Sequence, residues 1–451
     1  MTSSAESVNA ALEALLGTER IATGEAARAD FAVDGVQPAA VAFPETPEQV
    51  AELLALATRE GWGVVPWGSG TGIGRGAAPA HYEVALSLSR LAELSDHDVE
   101  NLTLTAGAGL TVAEANRRIA ASHQMLAIAF ADAPHTLGGC VAANRTAPRR
   151  LLYGEVRDQL LGLRVALPDG SLVRYGRKVL KNVAGYDMNK LFLGSQGMLG
   201  VVVETTFKLF AMPDQERCLL GAFGTVEQAT GAAAALFRSR LLPAFLLLLD
   251  APSATQAYGT LQRVAPPGAA HLLVGFEGRT ASLQRQLRDG QALLREQGAT
   301  ELTEAEGISP ALREVLEQPA AVLGESAALR LRVGVLPTAV AATLGRVAEA
   351  LAPAGVAHAT VTDYAAGQLH VAVGNVPESA ATGLLERTAR LRRDLATQRG
   401  YLVLEVAPPA FKARLDSLGA DAGETRLMRM FKQRFDPGDV LAPGRYLAAE
   451  G

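Results

Sequence analysis

Apolar residues Val50, Leu53, Leu54 and Ala57 recur at the 3.6-residue spacing of a helix with one buried face. Thr46 precedes them as an N-cap, Pro47 takes the first helical position, and Gln49 stands three residues beyond the cap. Gly61 stops the run. A short apolar strand, Val41–Phe43, lies before this helix and another, Gly63–Pro66, after it. The pattern predicts a βαβ unit that opens directly into Gly68-Ser69-Gly70-Thr71-Gly72-Ile73-Gly74-Arg75-Gly76.

Elsewhere the same reasoning predicts a helix over Ala5–Leu16, strands over Glu83–Ser89 and Leu102–Ala106, and a helix over Val112–Ser122 capped by Thr111. Two strands between Leu160 and Val173 turn at Pro168-Asp169-Gly170, where proline presets φ and glycine takes the positive-φ place. A further strand covers Val201–Leu209. After residue 215 the rhythm changes. Strands at Cys218–Phe223, Ala244–Leu249, Ala270–Glu277 and Leu329–Leu336 alternate with Ala/Leu-rich helices near 226–240, 280–296, 338–351 and 378–399. Such alternation predicts an α+β domain of ferredoxin-like kind. No internal repeat is visible, and a basic amphipathic helix over Glu424–Arg434 ends the periodic part of the chain.

The 451 residues exceed one hydrophobic core, so two or three domains are expected. With 49% apolar and 20% charged residues and a net charge of −5, the composition fits a globular protein and excludes a nucleic-acid-tracking basic block. Cys140 and Cys218 are too few for an iron–sulfur cluster or a disulfide framework and read as reduced thiols of a cytoplasmic protein. The longest apolar run, Leu241–Leu249, is about half of a membrane span.

Three glycine-bearing elements carry the chemistry. The loop Gly68–Gly76 lets successive backbone N–H groups face one point, which suits a pyrophosphate. Ile73 and Arg75 occupy the places where a Rossmann fingerprint needs its last glycine, and no Lys-Ser/Thr pair closes a Walker loop. Taken alone the loop has a second reading, a flexible surface segment. Pro134-His135-Thr136-Leu137-Gly138-Gly139, continuing through Asn144 to Gly154 and Asp158, shows little periodicity and would bring more backbone donors to the same ligand. Lys181-Asn182-Val183-Ala184-Gly185-Tyr186-Asp187 then precedes Gly194-Ser195-Gln196-Gly197-Met198-Leu199-Gly200.

Together these motifs resemble the vanillyl-alcohol oxidase / para-cresol methylhydroxylase family of FAD-linked oxidases, and within it the FAD-binding subunits of glycolate oxidase. Arg157-Asp158 and the terminal Phe435-Asp436-Pro437 and Pro443-Gly444-Arg445 belong to the likeness. The resemblance implies an α+β protein: an N-terminal helical lead-in over 1–35, a two-subdomain FAD-binding domain of para-cresol methylhydroxylase type over 36–214, a ferredoxin-like α+β cap over 215–405, and a segment over 406–451 returning to the FAD domain. It further implies that Gly68, Ser69, Gly70, Thr71, Gly72, Ile73 and Gly74 wrap the FAD pyrophosphate. Pro134, Thr136, Leu137, Gly138, Gly139, Val141 and Asn144 would lie along the pyrophosphate and flavin, Gly154 and Asp158 would wall the isoalloxazine, and Val202 and Val203 would serve the adenine end. Residues 66–76 hold no histidine, so the FAD is expected to be non-covalent, and His135 reads as a solvent-facing turn residue.

Relatives that oxidise D-2-hydroxy acids carry His-Ala-Gly-Asp-Gly-Asn-Leu-His in the cap. Here the stretch reads Asp363-Tyr364-Ala365-Ala366-Gly367-Gln368-Leu369-His370, so no metal site is expected. The catalytic residue is left unknown: the candidates are His370, Arg330, Arg332 and Tyr186, with His370 read otherwise as a strand residue packed under the flavin domain, and Tyr186, Lys181 and Asp187 either flanking the flavin or shaping the fold. Arg330 and Arg332 alternate with apolar residues and share one strand face, either to fork a substrate carboxylate or simply to stay solvated. The reading is an FAD subunit that oxidises glycolate or D-lactate, or relays electrons from it. Its implied partners are a second flavin subunit and an iron–sulfur subunit, with attachment to the inner membrane only through the complex. A stand-alone FAD-linked dehydrogenase of another hydroxy acid or alcohol and a non-catalytic assembly subunit are the alternatives.

Overall fold

The computed structural model describes residues 4–130, 132–145, 147–176, 178, 186–317, 322–323, 327–352 and 355–447. The chain divides into two compact units: Met1–Thr146, Gly154–Met212 and Ala420–Gly451 form one, and Ala147–Tyr153 with Pro213–Gly419 the other. Residues 147–153, expected within the FAD-binding stretch, belong to the second unit, as do 406–419.

Two main sheets share the larger core of the first unit, beside a two-stranded pair, Gln124–Met125 with Phe210–Ala211. In the smaller, Ala40–Ala42, Val84–Ser87 and Val64–Trp67 run parallel in that order, with Ile21–Ala22 antiparallel at the edge. The helix Pro47–Glu60 forms as its signals direct: Thr46 Oγ1 accepts from Gln49 N at 3.2 Å, and Gly61 closes it at φ 71°. Its inward face, Val50, Leu53, Leu54 and Ala57, is wholly buried. The larger sheet is antiparallel, ordered Leu94–Asp98, Thr103–Gly107, Val201–Lys208, Leu160–Ala166, Leu172–Gly176. The chain's end returns to the smaller sheet, where Val64 N donates to Val440 O (2.8 Å) and Ala442 N to Val64 O (2.8 Å).

The second unit is an eight-stranded antiparallel sheet. It contains a duplication that the sequence does not display. Gln215–Phe223, Phe245–Leu249, Ala270–Gly278 and Glu301–Glu306 form one four-stranded half, with helices Val226–Arg238 and Thr280–Glu296 as its crossovers. Leu329–Gly334, His358–Asp363, Gln368–Val373 and Tyr401–Val406 form the other, with helices Val340–Leu351 and Glu378–Ala396. In each half the fourth strand in chain order lies beside the first, and the halves join where Phe245–Leu249 pairs His358–Asp363. This is the ferredoxin-like arrangement twice over, one helix-covered face per half.

Candidate functional site

Strand Val64–Trp67 delivers the chain into the glycine loop, whose turns are closed by Ile73 N to Gly70 O (3.1 Å) and Arg75 N to Gly72 O (3.2 Å). Gly70 (φ 75°) and Gly76 (φ 84°) take left-handed conformations that a side chain would strain. Ser69, Thr71 and Gly72 are exposed.

The second element is not aperiodic, as its residues imply, but a helix, Leu137–Ala143. Thr136 caps it, accepting from Gly139 N at 3.2 Å. Leu137 N donates to Leu110 O (2.8 Å) and Gly138 N to Ala108 O (2.9 Å), so these amides are used inside the protein rather than toward a ligand. A Cβ on Gly138 would lie 2.6 Å from Ala108 Cβ, which fixes that glycine by packing. Val141 is wholly buried, and its carbonyl accepts from Gly194 N (2.9 Å). Pro134 and Gly139 stay exposed. His135 is 3% exposed, contrary to the expectation of a solvent-facing turn, because its Nδ1 meets Thr71 Oγ1 at 3.0 Å.

The three glycine elements converge. A Cβ on Gly68 would sit 2.2 Å from Thr136 Oγ1, so only glycine lets the first loop close on the second element. Arg75 Nη1 donates to Ala143 O (3.3 Å) at the helix end, where Asn144 turns left-handed at φ 45°. Gln196 N donates to Ala142 O (2.8 Å), which docks the third element there too. Ser195 is 8% exposed, and its Oγ has no partner among the described residues. A glycine cradle beside an unsatisfied buried hydroxyl fits a polyphosphate ligand such as FAD.

The remaining cofactor candidates take the following places in the fold. Gly154 (φ 81°) precedes a one-turn helix, Val156–Gln159, and Asp158 Oδ2 accepts from Glu155 N (2.9 Å) to cap it. Val202 pairs Val165 in the central strand, and Val203 O accepts from Ala108 N (3.0 Å). Tyr186 is 94% exposed; Lys181 lies outside the described residues.

Arg445 of the terminal Pro443-Gly444-Arg445 completes the cradle. Arg445, 3% exposed, donates from Nη2 to Ile73 O (2.5 Å) and Arg75 O (2.6 Å) and from Nε to Ala77 O (3.2 Å). Lys432 and Asp436 hold the segment that presents it, since Asp436 accepts from Val440 N, Leu441 N and Lys432 Nζ. Arg445's only sequence signal was its place after Pro443-Gly444.

In the second unit, His370, Arg330 and Arg332 do come together on the sheet face away from the helices. Arg332 is paired across the sheet with His370, and Glu405 lies 3.3 Å from its Nε. The segment 147–153 brings two more arginines to this unit. Arg149 and Tyr153 both bind the buried Glu277, the first through Nη2 at 2.5 Å and the second through its hydroxyl at 2.6 Å. Arg150 Nε meets Asp363 Oδ2 at 2.8 Å. Burial raises the Asp363 carboxyl above its usual range although Arg150 opposes this. Burial and then Glu277 likewise push the Tyr153 hydroxyl upward.

An expected outcome follows from the cradle. Gly68→Ala should weaken FAD binding by about ten-fold, the cost of forcing one methyl into a packed contact being about 1–3 kcal/mol; fluorescence titration of the flavin measures it.

The chain belongs to the FAD-linked oxidases and is an FAD-dependent oxidoreductase acting on CH–OH groups: the FAD binding domain model matches residues 38–176, and the model of FAD linked oxidases, C-terminal domain, matches 212–396. It is similar to the glycolate oxidase subunit GlcD of Bacillus subtilis (strain 168), 25% identical over 96% of this chain and 95% of that one. It is also similar to a D-lactate dehydrogenase of Archaeoglobus fulgidus, 31% identical over 52% of this chain and 54% of that one. Among solved structures, p-cresol methylhydroxylase with substrate bound superposes at a TM-score of 0.80 and 16% identity, over 98% of this chain and 96% of that one, which shows the fold. No helix among the described residues is long and apolar enough to cross a membrane.

Proposed function

We propose that this chain is the FAD subunit of a glycolate-oxidase-like complex and that its substrate is a small 2-hydroxy acid, glycolate or D-lactate. The observation that carries the reading is the convergence of the three glycine elements around Gly68, Thr136 and Ser195, held from behind by Arg445. The likeness to a glycolate oxidase subunit over 96% of this chain supports the substrate class and membership of a complex, whose other members are proposed to be a second flavin subunit and an iron–sulfur subunit. Bound FAD supplies the two-electron oxidation of the carbinol carbon.

The protein's own residues divide the remaining work. Loop 68–74 holds the pyrophosphate through backbone N–H groups, with Thr71 steadied by His135. Thr136 and Gly139 give the flavin a close, small-residue surface. FAD is bound without a covalent link. On the second unit's sheet, Arg330 and Arg332 are the forks for a substrate carboxylate, and His370, opposite Arg332, is the neighbouring proton acceptor.

Anaerobic addition of glycolate, D-lactate and L-lactate to the FAD-loaded chain tests this. The flavin band should bleach with glycolate or D-lactate, alone or once an iron–sulfur partner is supplied. Bleaching by unrelated alcohols, with none by either acid, would instead support a stand-alone dehydrogenase.

A further inference from the structure

We infer that the second unit carries a pocket for a neutral, chiefly apolar small molecule bearing one hydroxyl or carbonyl group, at the seam of its two ferredoxin-like halves. The seam lies where strand Phe245–Leu249 of one half pairs strand His358–Asp363 of the other. Over it sit the first crossover helices of both halves, Val226–Arg238 and Val340–Leu351. A cavity of about 240 Å³ remains between helices and sheet.

The space is kept open by sequence. Helix Val340–Leu351 presents Ala341, Gly345 and Ala348 to the cavity, and a Cβ built on Gly345 would meet nothing within 4 Å. A larger residue at position 345 would cost the helix nothing sterically and would raise its propensity. Leu248, Ala270 and Leu344 supply apolar walls. A cavity of roughly 150 Å³ admits a benzene ring, so the larger volume here admits a body of roughly eight carbons.

The polar side of the pocket is a single strand row. His358, Thr360 and Thr362 alternate onto the helix-covered face, and burial deepens along it, from half-buried His358 through Thr360 at 4% to Thr362 at 0%. Thr362 is among the residues lining the cavity, and its Oγ1 has no hydrogen-bond partner among the described residues. A buried hydroxyl of this kind is normally satisfied. One ligand oxygen satisfies it.

The charge at the outer end sets the class. Asp250 already accepts from Ser253 N (3.0 Å) and Thr360 N (2.7 Å), and Glu227 stands with it at the pocket. Two carboxyl groups and the single imidazole of His358 leave this end with no net positive charge to hold an anion, so a neutral alcohol or ketone is a better occupant than a carboxylic acid.

Calorimetric titration of the FAD-loaded full chain with 1-octanol, and separately with octanoate, tests the pocket. Saturable octanol binding is expected, with octanoate at least ten-fold weaker. Thr362→Val should lower octanol affinity about five-fold, as loss of one hydrogen bond does. Gly345→Leu, which fills the space, should abolish binding while leaving the flavin spectrum unchanged. Should the leucine variant fail to fold, Gly345→Ala with Thr362→Val carries the same comparison. Absence of octanol binding, equal affinity for octanoate, or binding unmoved by both substitutions would overturn the proposal.

Discussion

Arg445→Ala should raise the FAD dissociation constant about a hundred-fold, since a hydrogen bond to a charged group contributes about 1.5–3 kcal/mol and this guanidinium makes three. The reason lies in the peptide plane. In a trans peptide the N–H of the next residue points opposite to the carbonyl. By drawing the carbonyls of Ile73, Arg75 and Ala77 toward itself, Arg445 turns the amides of Gly74, Gly76 and Ala78 the other way. Its own carbonyl accepts from Ala77 N (2.6 Å), and Gly76 lies so close that a Cβ there would reach Tyr446 at 2.7 Å. Arg445→Lys keeps the charge without the fork, so its affinity should fall between the two. Flavin fluorescence titration of wild type and both variants gives the order. Equal affinities would show that the loop holds its shape without the arginine.

Arg149→Ala should destabilise the second unit by about 3–5 kcal/mol, the cost of leaving a buried carboxylate unpaired. The Arg149 side chain is 6% exposed and that of Glu277 0%, so water cannot replace the missing partner. The Tyr153 hydroxyl, which also donates to Glu277, would remain as a neutral donor. Removing both charges in Arg149→Met with Glu277→Gln should recover most of the loss, because no uncompensated ion is left. Thermal unfolding followed by circular dichroism measures both. The exposed pair Arg117–Glu114 is the control: breaking it should shift the midpoint little.

These two arginines also mark how far the sequence could be read. Helix Pro47–Glu60 was legible because cap, proline, periodicity and terminal glycine all lie within 16 residues of chain. Local signals also gave the glycine loop and the helices of the second unit. Helix Leu137–Ala143 was not legible, because Gly138 and Gly139 are poor helix formers and the helix forms only against Ala108 and Leu110. His135 looked exposed because its partner, Thr71, lies 64 positions away. Arg149 and Arg150 appeared to continue the first domain, yet Glu277 and Asp363, 128 and 213 positions on, draw them into the second unit. The duplicated sheet left no repeat to find, since corresponding strands such as Gln215–Phe223 and Leu329–Gly334 differ in length and in burial pattern. Asp363, the first residue of the cap stretch Asp363–His370, pairs with Arg150, a partner 213 positions away that no local signal announces.

The most direct test of the central claim is the absorption spectrum of the purified chain before and after acid precipitation, in the wild type and in Gly68→Ala. A flavin band that passes into the supernatant, and that is weaker in the variant, is the expected result for dissociable FAD held by the glycine cradle. A flavin that stays with the precipitate, or one retained equally by the variant, would contradict the account.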